Sequence, residues 1–118
     1  MREKVNLAEK LALVDEPFSP RIVGYYNENK LVVAKVEGEF VWHSHPDTDD
    51  CFLVLSGRLT IQLRDRNVEL GPGELFVVPR GVEHCPRSDD GAEILLVEPR
   101  GTPNVGDAGT EAAPEIEI

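Results

Sequence analysis

The sequence predicts an all-β fold, a barrel or sandwich of short strands that follows a short N-terminal helix. Between Arg21 and Pro99, short runs of β-forming residues alternate closely with clusters of turn-forming residues. Such close spacing favours a barrel or sandwich over an alternating β-α-β sheet. The 118 residues are enough for one domain with one core and too few for two.

The N-terminal segment, residues 1–20, is predicted to form a helix and an extended arm. Asn6 and Glu9 have the spacing of a capping pair at a helix start. We expect this helix to continue to about Val14, because Pro17 and Pro20 then prevent its continuation.

The predicted barrel covers residues 21–100. Its strands are nine runs separated by turn clusters rich in Gly, Pro, Asn and Asp, namely Arg21–Tyr26, Leu31–Val36, Glu39–His45, Phe52–Leu55, Arg58–Arg64, Asn67–Leu70, Leu75–Val78, Glu83–Arg87 and Glu93–Glu98. One of these clusters, Asp89-Asp90-Gly91, is predicted to be a turn between the last two strands. No internal repeat is visible.

The last segment, residues 101–118, is acidic and rich in Gly, Ala and Pro, with almost no periodicity. We expect a flexible tail that either hangs free or lies along a neighbouring subunit.

The formal net charge of −10 argues against nucleic acid or a membrane surface as a partner, because both are anionic.

The N-terminus is not typical of a signal peptide, since charged residues such as Glu3, Glu9 and Lys10 interrupt any apolar core. We therefore expect a cytoplasmic protein. Cys51 and Cys85 are too few for a disulfide framework and are interpreted as packing thiols.

The three histidines of the chain are the strongest functional signal. His43 and His45 are two residues apart in a strand-like run, so both imidazoles are expected on one face as a chelating pair. Pro46 then ends the run, and His84 comes some 40 residues later, after another turn. Taken alone, the pair also fits two surface histidines with His84 unrelated to them.

The surrounding residues favour the metal site. Gly38-x4-His43-x-His45-x4-Asp50-x6-Gly57 and Gly73-x5-Pro79-x-Gly81-x2-His84-x3-Ser88 closely resemble the two motifs of the cupin superfamily. The chain is similar to the small single-domain bacterial cupins, and this resemblance implies a jelly-roll β-barrel. It also implies that His43, His45 and His84 converge on one divalent ion inside the barrel, with Zn, Fe, Mn and Ni as candidates.

The fourth ligand departs from the family pattern. Asp50 stands where the family has glutamate, and its side chain is one methylene shorter. It is expected to bind the metal directly, to bind through water, or to leave a coordination position open. Asp49 is also within the allowed spacing, although the gap to Gly57 favours Asp50.

Strand alternation predicts an apolar interior around the metal, built from residues such as Phe52, Val54, Leu59 and Ile61. This interior offers no side-chain general base, so a reaction would depend on the metal itself. Trp42 and Phe40 are expected on the outer face, covered either by the N-terminal segment or by a second copy in a homodimer.

Two functions remain open from the sequence. One is a small metalloenzyme, a metal-dependent isomerase, lyase or dioxygenase, that acts on a sugar or another small oxygenated metabolite. The other is a non-catalytic module that binds or senses a metal or small ligand. The fold alone does not choose between them.

Overall fold

The computed structural model describes residues 3–118, so the first two residues of the predicted arm lie outside the described residues. The elements are one helix and seven strands in this part of the chain: α1 Leu7–Leu11, β1 Arg21–Tyr26, β2 Asn29–Glu39, β3 Asp50–Gly57, β4 Leu59–Leu63, β5 Asn67–Leu70, β6 Leu75–Val78 and β7 His84–Pro99. The all-β prediction is confirmed, including the short N-terminal helix. None of the helices described in residues 3–118 is long and apolar enough to cross a membrane.

The helix α1 begins as predicted and ends earlier than predicted. The Asn6 side chain accepts a hydrogen bond of 3.0 Å from the Glu9 amide, which satisfies one free N–H of the first turn. After Leu11 the chain tightens, and the amides of Leu13 and Val14 bond three residues back. Leu11 and Val14 are both buried, so the tightened turn keeps the apolar side of the segment against the barrel.

The strands form one strongly curved antiparallel sheet in the order β1-β2-β7-β3-β6, and β4 pairs with both β5 and β7. The long strand β7 is the centre of this jelly roll. Its second half lies between β2 and β3, while its first half pairs with the end of β2 and with β4. One strand therefore connects the two ends of the barrel.

A bulge replaces the turn that was predicted at Asp89-Asp90-Gly91. The pairing between β2 and β7 moves from Val36↔Ala92 to Gly38↔Ser88, so the extra residues of β7 bulge out and the strand continues. The runs Glu83–Arg87 and Glu93–Glu98 are thus parts of a single strand. Asp and Gly are common both in turns and in β-bulges, so the sequence of this run did not distinguish the two.

Gly57 shows how closely the strands cross beside this bulge. Its φ of 77° lies in the left-handed region, and a Cβ atom placed there would lie 2.1 Å from the carbonyl oxygen of Gly91. Any other residue would force β3 and β7 apart.

The main core fills the barrel, as predicted. Phe52, Val54, Leu59 and Ile61 are at most 3% exposed and belong to one apolar cluster. A second cluster lies between the N-terminal segment and the outer face of β1 and β2. The barrel interior is therefore apolar around the place where the motif residues meet.

The C-terminal segment, residues 101–118, lies on the barrel of its own chain, in contrast to the expected free or neighbour-bound tail. Ile22 in β1 donates a hydrogen bond to the Ile116 carbonyl and accepts one from the Ile118 amide. Val105 is buried, at 6% exposure. The attachment uses backbone hydrogen bonds and isolated side chains, which leave no periodic pattern in the sequence.

Candidate metal centre

The three histidines come together, although the local structure differs from the predicted strand. Strand β2 ends at Glu39, and His43 belongs to no regular strand. Its backbone instead pairs with His84 through two hydrogen bonds, His43 N–H to His84 O at 3.0 Å and His84 N–H to His43 O at 2.9 Å. The predicted strand Glu39–His45 is wrong because the chain leaves the sheet to form this bridge.

The rings of these histidines lie close to one another. The ring centroids are 5.0 Å apart for His43 and His45, and 4.3 Å apart for His43 and His84. The third distance, between His45 and His84, is 5.8 Å. One nitrogen of each ring lies within 4.8 Å of one nitrogen of each of the others. This spacing suits three ligands of a single ion.

Backbone carbonyls fix two of the rings. His43 Nδ1 donates to Val41 O at 2.8 Å, and His84 Nδ1 donates to Val82 O at 2.9 Å. A carbonyl only accepts, so the proton of each neutral ring is at Nδ1 and the lone pair is at Nε2. Both rings therefore have a fixed orientation with the Nε2 lone pair available, as binding to a metal requires.

Asp50, the first residue of β3, lies beside this cluster and is 3% exposed. Its Oδ2 atom lies 3.3 Å from His45 Nε2, and the two do not form a hydrogen bond. Asp49, in contrast, accepts a hydrogen bond from the Arg80 amide and lies outside the cluster. The structure thus brings Asp50 to the histidines and holds Asp49 elsewhere.

Several buried polar atoms at this point have no hydrogen-bond partner within residues 3–118: His45 Nε2, His84 Nε2 and Asp50 Oδ1. Leaving such atoms unsatisfied in an apolar interior is costly, and native proteins rarely do so. Imidazole nitrogen and carboxylate oxygen are also the donors that borderline divalent ions prefer. The residues present therefore fit a metal ion.

Burial keeps His43 and His84 neutral. It lowers the pKa of His43 to about 4, and it also lowers the pKa of His84. The hydrogen bonds to Val41 and Val82 oppose this effect and do not cancel it. At neutral pH both rings are in the uncharged form that binds metals.

Sequence reasoning missed two buried ionisable residues at this end of the barrel. Glu98, near the end of β7, and Lys30, in β2, are each 5% exposed. Carboxylate oxygens of Asp50 and Glu98 and a ring nitrogen of His45 all lie within 4.8 Å of one another. Alternation along β7, from Ile94 through Leu96 to Glu98, would have placed Glu98 inside the barrel.

The Glu98 carboxyl is held in its protonated form. Burial raises its pKa well above the usual range, and the neighbouring Asp50 carboxylate raises it further, while Lys30 opposes both. Lys30 Nζ lies 3.5 Å from Glu98 and donates to Thr102 O at 2.9 Å. The longer distance to Glu98 agrees with a carboxyl that carries a proton.

A cavity of about 60 Å³ opens next to the histidines. Phe40 lines this cavity, so its predicted position on the outer face is wrong. Phe40 follows the end of β2, where strand alternation no longer applies. Its ring stacks on Phe18 of the N-terminal arm, while Trp42 lies under the guanidinium group of Arg64 at 3.8 Å.

The C-terminal segment also reaches the centre. Asp107 accepts hydrogen bonds from the Ser44 amide at 2.7 Å and from the Ser44 hydroxyl at 2.8 Å, and its own amide donates to Ser44 O. Ser44 lies between His43 and His45, so these bonds fix the loop that carries both histidines. A Cβ atom at Gly106 would lie 2.3 Å from Ser44 O, which shows how tightly the segment packs.

Comparison with known proteins gives one family match and several relatives. The family model described as Cupin domain matches residues 30–98. The uncharacterized protein YdbB of Bacillus subtilis (strain 168) is 32% identical over 83% of this chain and 88% of its own length.

Solved structures show the same likeness. A cupin-2 domain containing protein from Shewanella frigidimarina is 44% identical, with a TM-score of 0.80 over 81% of this chain and 94% of that one. Protein NMB1881 from Neisseria meningitidis is 30% identical, with a TM-score of 0.76 over 82% of this chain and 99% of that one.

Proposed function

This chain belongs to the cupin domain family, and from that premise we propose that it is a small metalloprotein acting on a small oxygenated metabolite. In this proposal His43, His45, His84 and Asp50 hold one divalent ion of Zn, Fe, Mn or Ni.

The observation that carries the proposal is the set of unpartnered buried atoms, His45 Nε2, His84 Nε2 and Asp50 Oδ1. A structural polar network would satisfy its members with one another. Here the carbonyls of Val41 and Val82 instead orient two rings so that their lone pairs remain available. This arrangement supports a metal centre over a set of core histidines.

When bound, such an ion supplies a Lewis acid that polarises an oxygen atom of the ligand. The residues of the chain do the rest. The apolar walls exclude water, Asp50 supplies negative charge, and Glu98 holds a proton at its carboxyl group on the same side of the cavity. The cavity volume of about 60 Å³ limits the ligand to a small molecule.

Metal analysis of protein produced without an affinity tag tests this proposal. We expect one equivalent of metal per chain in the unmodified protein and a large loss in His43→Ala and His84→Ala. Asp49→Ala is the matched control, because Asp49 is adjacent to Asp50 and lies outside the cluster. Full metal content in both histidine variants would refute the proposed site.

The proposal includes a homodimer, formed through the face of β6. Leu75 and Val77 on this strand are 59% and 43% exposed, and β6 is at one end of the sheet order. A second copy of the chain would cover these side chains. Light scattering on Leu75→Glu/Val77→Glu tests the interface, since the double variant is expected to be a monomer, and a dimer of unchanged mass would argue against it.

We also propose a cytoplasmic location. Cys51 and Cys85 are free thiols, and burial raises the pKa of each, which disfavours the reactive thiolate. Free structural thiols of this kind are typical of a reducing compartment.

A further inference from the structure

We infer that the cavity beside the metal centre takes a ring-sized molecule that is apolar except for one oxygen-bearing end, and that Phe18 is the residue that selects it. The inference rests on the proposed function. That function allows any small oxygenated metabolite, including a sugar, whereas the inference limits the ligand to an apolar ring with one oxygen-bearing end.

The walls of the cavity carry the first part of the inference. They are mostly aromatic and aliphatic, with side chains such as Phe18, Phe40, Phe52, Ile94 and Leu96. A sugar bound there would bury several hydroxyl groups without hydrogen-bond partners, and each would reduce its affinity. A molecule with an apolar body would lose no such bonds.

The buried polar groups of the cavity are close together. His43, Asp50 and Glu98 are all buried, and the ligand atoms of Asp50 and Glu98 both lie near His45. Lys35 and Asn104 also line the cavity but are only half-buried, and Lys30 is outside the lining and bonded to Thr102 O. The buried polar contacts are therefore gathered near His45, which suits a ligand with one hydroxyl or carbonyl oxygen.

The backbone of Phe18 carries the second part. Its φ is 58°, in the left-handed region that a bulky side chain rarely adopts. Asn27 also has a positive φ, of 53°, but asparagine in a turn adopts this conformation readily. Strain at a bulky residue persists only where the surrounding structure holds it, and such residues are concentrated at ligand-binding sites.

The contacts of Phe18 show what the strained conformation achieves. The Phe18 amide donates to Lys35 O at 2.8 Å, which holds the arm against β2. Its ring stacks on Phe40 with centroids 5.1 Å apart, and Phe40 in turn meets His43 edge to face at 5.6 Å. This aromatic pair extends from the arm to a metal ligand and provides a flat surface for a ring.

Ligand-observed NMR on the full chain loaded with zinc tests the ligand class. The probes are phenol, toluene and myo-inositol, which share a six-membered ring and differ in oxygen content. We expect phenol to bind at least about tenfold more tightly than myo-inositol, because the polyol leaves buried hydroxyl groups unpaired. Toluene is expected to bind more weakly than phenol, since it has no oxygen for the polar end.

Phe18→Gly tests the role of the ring and relieves the backbone strain, because glycine adopts a positive φ freely. We expect the variant to keep its zinc, to melt at a somewhat lower temperature because the packing of the ring on the core is lost, and to lose several-fold in phenol affinity. Asn27→Gly is the matched control, with the same kind of backbone change in an exposed turn.

The possible results separate the two claims. Failure of the unmodified protein to take up zinc would overturn the proposed metal centre and the ligand inference with it. If zinc binds and myo-inositol binds as tightly as phenol, the ligand class is wrong and the metal centre stands. Equal phenol affinity in the unmodified protein and Phe18→Gly would overturn the role of Phe18.

Discussion

His43 and His84 each use one ring nitrogen to bond a backbone carbonyl and keep the other for a ligand. The carbonyls come from residues two positions earlier in each case, Val41 and Val82. This shared local geometry makes the two histidines equivalent, even though they lie far apart in the sequence. Asp50, the first residue of β3, is the fourth residue of the proposed metal site.

Asp50→Ala is expected to weaken metal binding by more than the roughly 10–100-fold that loss of an outer-shell partner costs, because the proposed site uses its carboxylate as a direct ligand. Asp50→Glu, which restores the residue typical of the family, should keep most of the affinity. Competition with a chromophoric chelator measures both. A smaller loss in Asp50→Ala would indicate a water-mediated contact, and Asp49→Ala should match the unmodified protein.

His43 is expected to reduce the stability of the metal-free protein as the pH falls from about 6.5 to about 4, while Glu98, whose pKa is raised to about 9, has the opposite effect as the pH falls towards about 4.5. His43 has a pKa of about 4 in the folded chain and 6.5 when unfolded, so the unfolded chain binds more protons in this range. His43 alone then contributes at most roughly 3 kcal/mol, lost progressively on acidification. Urea unfolding at pH 7.5 and 4.5 measures the change.

His43→Gln provides the control for this pH dependence, because glutamine does not titrate. The difference in unfolding free energy between the two pH values should be smaller in the variant. An identical difference in both proteins would mean that His43 is not the group responsible.

At the residue scale, the sequence predicted those site residues that belong to a motif of regular spacing. His43, His45, His84 and Asp50 were predicted from two motifs, and the structure brings all four together. Glu98 was not predicted, because a single acidic residue at a strand end resembles a solvent-exposed one. Its burial depends on Lys30 and on Asp50, and neither contact is visible in local sequence.

At the scale of elements, the loop with His43 and His45 depends on the C-terminal segment. The loop has no strand pairing except the bridge between His43 and His84. Three hydrogen bonds between Ser44 and Asp107 support the loop, and the two that the Asp107 carboxylate accepts are short and strengthened by its charge. The Ser44 amide also lowers the pKa of Asp107, so the carboxylate stays ionised.

Asp107→Ala is therefore expected to reduce metal affinity by about tenfold, in the range found for outer-shell partners. Ser44→Ala should have a smaller effect, because its backbone amide still donates to Asp107. Glu111→Ala, at an exposed position of the same segment, serves as control. Calorimetric titration with zinc measures the affinity of each variant. Unchanged affinity in Asp107→Ala would show that the loop with His43 and His45 is held in place without the C-terminal segment.

Elements were predicted well where they repeat a pattern and poorly where they interrupt one. Runs such as Asn67–Leu70 and Leu75–Val78 match the observed strands. The bulge in β7, the departure of the chain from the sheet after Glu39, and the attachment of the C-terminal segment depend on pairing partners distant in sequence. Local periodicity carries no information about such partners.

For the whole molecule, the metal is expected to stabilise the fold. Zinc at 100 times its dissociation constant should add about 2.7 kcal/mol, since the ion binds the folded chain and not the unfolded one. For a domain of this size that corresponds to an increase of roughly 10 °C in melting temperature. Differential scanning calorimetry with and without a chelator measures it, and His84→Ala should show no zinc-dependent change.

The bridge between His43 and His84 has a kinetic consequence. It joins two residues with β3 to β6 between them in the chain, and the Ser44–Asp107 contact joins the same loop to the C-terminal segment. The loop has no regular strand pairing of its own, so it is positioned only when β7 and the C-terminal segment are already in place. We therefore expect the metal centre to assemble after the transition state for folding.

Zinc should then slow unfolding and leave the refolding rate unchanged in stopped-flow measurements, because it stabilises contacts absent from the transition state. Faster refolding with zinc would place these histidines in the folding nucleus. In kinetic terms, we expect the centre to set how long the barrel stays folded, and β-strand pairing elsewhere to set how fast it forms.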